Sequence, residues 1–376
     1  MAAKPTILIV GGGYAGLFAM LQLTAHRDKL DVVMIDRKPF AENLPLLPDV
    51  VGKRVQSDNL RLDLQQFARR HGARFLRAAV SEIDPDRRTV TRMNGRTLSA
   101  DYLLVCTGTE TNYYGRDEFA AQIPCMDTVA DALKISRCLD KNDFKHVVVV
   151  GGGYTGVELV TNARRRLRLR RTIEGKTLHL VDRAPTVLPG LDERVRSYCR
   201  ANLERMGIVL HPNSTLQSYA DQHAALSGGD EFPQSLVAWA AGVHTPACVR
   251  ALAGDRPQGR LLVAPTLQFA DRCYAAGDAA GLERAERMLR PAVQFAISEG
   301  RDAARNILRE IAGKEPHACL PPDLGFVVPM ANFRACGHAL GVPVKGRKAM
   351  FLHYFMCLYR SMGTRNRIGV LCDLLA

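Results

Sequence analysis

The sequence has no two cysteines at CxxC spacing, no apolar run near the roughly 18 residues of a membrane span, and no acidic excess. Its ten cysteines (106, 125, 138, 199, 248, 273, 319, 336, 357 and 372) are irregularly spaced. That excludes a CxxC-type zinc site and a dense disulfide framework, and it fits a reducing compartment. The N-terminus, MAAKPTILIVGGG, offers only the short run TILIV before its glycines and does not read as a signal peptide. The cytoplasm is the expected location. Glycine (31) and proline (19) are near average usage, which excludes collagen-like and low-complexity architecture. With 47% hydrophobic and 24% charged residues, wholesale disorder is excluded too. A length of 376 residues suggests two or three domains.

Basic residues outnumber acidic ones, 51 to 38, for a formal charge of +13. Six of the arginines fall in one run, Arg164–Arg171 (RRRLRLRR). Its two leucines are too few to define a partner-binding stripe, so the run reads as a solvated helix face. A second basic stretch (Arg334, Lys345, Arg347, Lys348, Arg360, Arg365, Arg367) is opposed only by Asp373. No paired zinc motif or aromatic RNA-binding strand accompanies either cluster, and no nucleic-acid partner is expected.

The most informative feature is a repetition. Thr6–Val10 (TILIV) has the β-branched apolar pattern of a strand buried on both faces. Gly11, Gly13 and Gly16 follow in GGGYAG, then the helical segment LFAMLQLTAH, then a strand, DVVMI, that ends at Asp36. The unit recurs as HVVVV, Gly151, Gly153 and Gly156 in GGGYTG, the helix VELVTNARRR, and TLHLV ending at Asp182. Strand, G-x-G-x-x-G, helix, strand and acid form the full dinucleotide-binding context. The first glycine permits the tight turn, and the second removes a Cβ from the path of a pyrophosphate. The third lets helix and strand pack closely, while the helix N-terminus offers N–H groups and partial positive charge to the phosphates. The acid accepts hydrogen bonds from ribose hydroxyls. Two dinucleotides are expected, one per copy. A carboxylate at Asp182 faces the position of the 2′-phosphate of NADPH and therefore favours NADH, against which Arg183 stands as a neighbour able to clamp that phosphate.

Two such units in tandem resemble the flavoproteins with two dinucleotide-binding domains, the first holding FAD and the second NADH. Within them the chain is similar to the single-subunit (type II) NADH:quinone oxidoreductases. The resembling pieces run in family order over nearly the whole chain: NLPLLPDVV, DYLLVCTGTETNYYG, GGGYTGVELV, VLPGLDERV, AWAAGV, CYAAGDAA and RNR. The resemblance implies an α/β fold of two Rossmann-like domains plus a short C-terminal helical segment at a membrane interface. The expected boundaries are 1–112 with 255–325 for FAD, 113–254 for NADH, and 326–376 for the C-terminal segment. It implies Asp278 on the flavin ribitol, Arg37, Thr107 and Gly108 among the cofactor contacts, and Gln294 at the acceptor side. Glu158 is implied near the nicotinamide, on the first turn of its helix, where it orients the ring or influences proton uptake. Read alone, a glutamate there is also simply favourable at a helix N-terminus. Leu46, with Leu47 and Pro48, either walls the flavin or forms a turn packed on the core.

Two departures concern the acceptor. Val293 stands where the family commonly has alanine before Gln294, and KPFAEN lacks the usual His-x-Phe. Residues 37–105 contain no cysteine, which excludes the disulfide-reductase chemistry of sister enzymes. Cys336 (RACGHALG) reads as a buried small hydrophobe. The implied reaction passes hydride from NADH to FAD and then two electrons to a quinone. The alternative is a soluble NADH-dependent reductase of a small biosynthetic substrate. The apolar segment AMFLHYFMCLY (Ala349–Tyr359) with its basic flanks suits an anionic membrane surface through residues 345–376, which would put the protein on the inner face of the cytoplasmic membrane. The same segment would serve equally as the interface of a homodimer.

Overall fold

The structure, a computed structural model, describes residues 4–284 and 286–376. The chain forms two compact units. The first takes the residues up to Ala41, Leu62–Glu110 and Val243–Asp323; the second takes Glu42–Arg61, Thr111–Gly242 and Leu324–Ala376.

The first unit is built on a six-stranded sheet in the order Gln268–Ala270, Cys273–Ala275, Tyr102–Val105, Thr6–Val10, Asp31–Asp36, Arg74–Arg77. Every pairing is parallel except at the Gln268–Ala270 edge. Thr6–Val10 lies at the centre with Ile7 to Val10 buried, which is why it reads as an unbroken apolar run rather than an alternating one. Two helices, Tyr14–Thr24 and Val293–Ile311, cross at a close approach: a Cβ on Gly300 would strike the carbonyl of Ala15.

The second unit repeats the plan with a four-stranded parallel sheet, Ile208–His211, Thr177–Val181, His146–Val150, Ser235–Trp239. The helix after its glycine loop, Tyr154–Leu169, lies against this sheet. The unit also carries a three-stranded antiparallel sheet, Gly325–Met330, Arg334–Ala339 and Val342–Lys345, followed by helices Gly346–Arg360 and Thr364–Leu375. Among the described residues no helix is long and apolar enough to cross a membrane.

Three expectations are corrected here. Segment 42–61 belongs to the second unit, not the first, because Leu46, Leu47, Val50, Val51, Val55 and Leu60 are buried in the second unit's core. Leu46 is therefore a fully buried core residue of that unit. Residues 326–376 do not stand apart as a helical tail. They open with a sheet and are tied to segment 42–61 by hydrogen bonds: Asn43 Nδ2 to Ser361 Oγ (2.8 Å), Asn366 Nδ2 to the Arg61 carbonyl (2.8 Å), and Asn59 Nδ2 to Asp373 Oδ2 (2.7 Å). In the closing RNR, Arg367 donates to the carbonyls of Ser361 and Tyr359, where the Gly346–Arg360 helix ends.

The arginine run is the third correction, because it is not a uniformly solvated face. Arg166 is buried, forks onto Asp140 through Nε (2.8 Å) and Nη2 (2.6 Å), and donates to the Val51 carbonyl (3.0 Å). Arg165 donates to the Gly52 carbonyl (3.0 Å). Two of the six arginines, Arg165 and Arg166, thus dock segment 42–61 onto the helix.

Candidate active site: two dinucleotide cradles

In the first unit the chain leaves Thr6–Val10 through Gly11, whose φ of +113° only glycine adopts readily. A Cβ there would strike the Cys106 carbonyl, and one on Gly16 would strike the carbonyl of Gly11. Over Gly13 there is nothing within 4 Å. Two glycines are thus required by the fold itself, while the middle one faces open space. The helix begins at Tyr14, inside the motif, with no side chain capping it, so the N-terminal N–H groups are left for a ligand. Asp36 is held from both sides: Oδ2 accepts from the Gly12 N–H (2.7 Å) and Oδ1 from the Lys38 N–H (2.7 Å). Arg37 is exposed and pairs with Glu110 at 3.5 Å.

The same geometry recurs in the second unit. Gly151 sits at φ +115°, a Cβ on Gly156 would strike the Gly151 carbonyl, and Gly153 has nothing within 4 Å. Asp182 accepts from the N–H groups of Gly152 and Ala184, the latter at 2.6 Å. An acid locked to its own glycine loop in both copies has a fixed orientation in which to meet a ribose.

Further groups converge on the first cradle. Gly277, at φ +73°, brings the turn Gly277–Ala279 against Ala15, to which its Cβ would lie at 3.0 Å. This sets Asp278 near the start of the Tyr14–Thr24 helix. Burial raises the Asp278 pKa, and Arg260 and the Ala292 N–H oppose the rise. Gln294, buried at the first turn of the Val293–Ile311 helix, donates to Asp323 Oδ1 (2.9 Å). Thr107 follows the strand Tyr102–Val105, and its Oγ1 is buried without a hydrogen-bond partner; Gly108 beside it, at φ +66°, faces open space. A buried hydroxyl with no protein partner fits a hydrogen bond to a ligand's polar atom. The open space over Gly13, the uncapped helix and the Thr107 hydroxyl all fit a dinucleotide.

Sequence reasoning missed Glu299 and Arg260 here. Glu299 is buried, accepts from the Gly277 N–H (2.7 Å), and is pushed by burial up to about 8. Arg260 donates to the carbonyls of Leu289 (2.6 Å) and Ala280. An acid on the face shared by Phe295, Ala296 and Ala303 was the available signal for Glu299.

Glu158 is the fifth residue of its helix, one position past the first turn expected for it. Its carboxyl is desolvated and has no hydrogen-bond partner among the described residues. Burial, and secondarily the neighbouring Asp49, hold its pKa well above the usual carboxylate range. Asp49, missed as a member of this site, comes from the Leu47–Val51 helix packed against the helix of Glu158. It accepts from the Tyr354 hydroxyl (2.8 Å), with Arg54 Nε at 3.3 Å. Burial raises it from 3.8 to about 6, against the pull of Arg54, Tyr354 and Arg165. An acid inside the apolar run LPLLPDVV was the signal for it.

Two glycine-loop cradles, each with its tethered acid, define a protein that holds two dinucleotides. The chain belongs to the pyridine nucleotide-disulphide oxidoreductase family, whose model matches residues 5–300. It is 26% identical to the demethylphylloquinone reductase NdbB of Synechocystis, over 98% of this chain and 95% of that protein. It is 24% identical to the type II NADH:quinone oxidoreductase of Staphylococcus saprophyticus, over 93% of each. The fold matches that of NDH2 from Plasmodium falciparum, solved in complex with NADH, with a TM-score of 0.88 over 99% of this chain and 98% of that one at 16% identity.

Proposed function

We propose that this protein is an NADH:quinone oxidoreductase of the single-subunit type, with FAD in the first cradle and NADH in the second. The observation that carries the reading is the pairing of two complete cradles with near end-to-end likeness to relatives named for quinone reduction. Bound flavin would supply the two-electron chemistry that links the nicotinamide to the quinone. The chain's own residues do the rest. In the first unit the Gly11–Gly16 loop and the uncapped helix receive the pyrophosphate. Asp36 takes the ribose, and Thr107, Gly108 and Asp278 line the remainder, with Gln294 at the acceptor side. In the second, Gly151, Gly153 and Gly156 repeat the cradle, and Asp182 faces the adenosine ribose. Glu158 holds a proton near the nicotinamide. The test is spectroscopic: purified protein should carry a flavin absorption band that NADH bleaches under argon and that menadione restores. A colourless protein that takes up no flavin would refute the reading.

Cofactor choice rests on Asp182. A 2′-phosphate placed against that carboxylate meets like charge and displaces hydrogen bonds already made to Gly152 and Ala184. Asp182→Ala is expected to lower the ratio of kcat/KM for NADH over NADPH by roughly 10-fold or more. An unchanged ratio would remove the role given to this residue.

A lipid-soluble quinone suits a protein seated on the membrane, on the cytoplasmic face where NADH is available. The Gly346–Arg360 helix supports this. Its inner face buries Ala349, Met350, His353 and Cys357, while Phe351, Phe355 and Tyr359 stand 74%, 53% and 68% exposed in one stripe. Lys345, Arg347 and Lys348 flank that stripe at its start. Phe351→Ser/Phe355→Ser/Tyr359→Ser should abolish flotation with phosphatidylglycerol-containing liposomes and leave NADH:menadione activity intact. Equal flotation of the variant would refute membrane contact through this face.

A further inference from the structure

The Tyr154–Leu169 helix and the residues just beyond it carry two pairs of arginines at the same spacing. Arg166 and Arg170 are four residues apart and share one carboxylate, Asp140, with contacts of 2.6 and 3.1 Å. Arg164 and Arg168 repeat the spacing two residues earlier, about 200° around the helix. Among the described residues they have no carboxylate partner. Like charges one turn apart repel unless something negative sits between them.

The unmatched pair opens into a cavity of about 420 Å³. Arg165 joins the two at its wall, though its Nε is already committed to the Gly52 carbonyl. Leu169, Met206 and Phe333 supply apolar surface, and among the described residues no acidic side chain lines the cavity. Phe333 closes the hairpin between Gly325–Met330 and Arg334–Ala339 at φ +60°, a position where glycine or asparagine is usual, and is 58% exposed. Arg54 stacks over its ring at 5.0 Å. Burial, and secondarily Arg168, weaken the hold of Arg164 on its own proton, as expected of a cation kept in a half-buried site without a counter-ion.

We propose that this cavity binds a phosphate monoester with an apolar body, bridged by Arg164 and Arg168. Two unpaired guanidinium forks match a dianion with three free oxygens, which balances both charges, whereas a carboxylate shared between them as Asp140 is shared brings only one charge and two oxygens. Leu169, Met206 and Phe333 cover the ester group. Two sources share this chemistry: a soluble phosphate ester, or a phosphatidic acid headgroup. The site lies at the end of the helix opposite its glycine loop and is independent of the redox reading.

The test uses protein loaded with FAD and saturated with NAD⁺, so that the other phosphate-binding positions are filled. Phenyl phosphate is titrated by calorimetry, and flotation is measured with phosphatidylcholine vesicles with and without phosphatidic acid. In either arm Arg164→Gln/Arg168→Gln should weaken binding about 10-fold or more, and Arg164→Lys/Arg168→Lys should recover part of it. The control Arg170→Gln/Arg171→Gln removes the same charge outside the cavity and should change neither. A loss confined to phenyl phosphate identifies a soluble ester; a loss confined to phosphatidic acid identifies the lipid. The proposal fails if the cavity variant and the control behave alike, or if wild-type protein binds neither probe. NADH:menadione activity of the Arg164/Arg168 variants should match wild type, so a failure here stays distinct from a failure of the redox function.

Discussion

Gly13→Ala should yield a folded, colourless protein, whereas Gly16→Ala should compromise the fold itself. The two glycines are three residues apart in one motif, yet they meet different surroundings. A methyl group on Gly16 would collide with the backbone carbonyl of Gly11, and backbone cannot rotate aside as a side chain can. Overpacking of this kind costs about 3 kcal/mol. A methyl group on Gly13 would meet no protein atom within 4 Å, and the residue's φ of −76° and ψ of −166° suit alanine. Its only obstacle is the ligand. Thermal denaturation of Gly13→Ala without flavin should therefore match wild type stripped of flavin, while FAD affinity falls by roughly 100-fold. The second cradle supplies the matched experiment. Gly153 has the same open surroundings and the same extended conformation, so Gly153→Ala should keep its flavin colour and lose NADH, seen as a raised KM. If Gly13→Ala retains FAD at wild-type affinity, the first cradle does not hold the pyrophosphate.

That contrast also marks what the sequence makes legible. Glycine spacing, flanking apolar runs and terminal acids are local features, and both cradles follow from them: Thr6–Val10, His146–Val150 and Thr177–Val181 form strands over the expected residues. What depends on a distant partner was not legible. Leu46 and its neighbours looked equally apt to wall a flavin or to pack in a core, and only the fold places them in the core of the second unit. Arg166 sits in a run whose composition says solvent, yet Asp140, 26 residues away, and the Val51 carbonyl, 115 residues away, draw it inside. The C-terminal segment is attached through Asn43, Asn59 and Arg61, again by hydrogen bonds over some 300 residues of chain. Pairings at such separations leave no periodic trace.

Asp49 and Glu158 form the other arrangement that no local pattern announces, and their coupling sets an expected pH dependence. Burial, and secondarily Asp49, raise the Glu158 pKa, and its carboxyl has no hydrogen-bond partner among the described residues, so it keeps its proton to a pH well above the usual carboxylate range. Asp49, helped by Arg54 and the Tyr354 hydroxyl, gives up its proton first, near about 6. Below that pH the pair is neutral. Above it the Asp49 carboxylate is negative and opposes ionisation of Glu158, so Glu158 stays protonated to higher pH. If protonated Glu158 serves turnover, the rate of quinone reduction falls on the alkaline side as Glu158 ionises. Asp49→Asn removes the opposing charge, so that alkaline limb should move to lower pH, while the profiles of variant and wild type converge below about 6. Tyr354→Phe deletes a hydrogen bond that favours the Asp49 carboxylate, so Asp49 ionises later and the divergence should begin at higher pH. Glu158→Gln should lose the limb altogether and lower kcat by roughly 100-fold, the range for a positioned proton carrier. The measurement is kcat against pH with saturating NADH and menadione. Should Glu158→Gln retain full activity with an unaltered profile, the carboxyl is only a helix residue in a dry place. Should Asp49→Asn and Tyr354→Phe both leave the limb where it is, the two acids titrate independently.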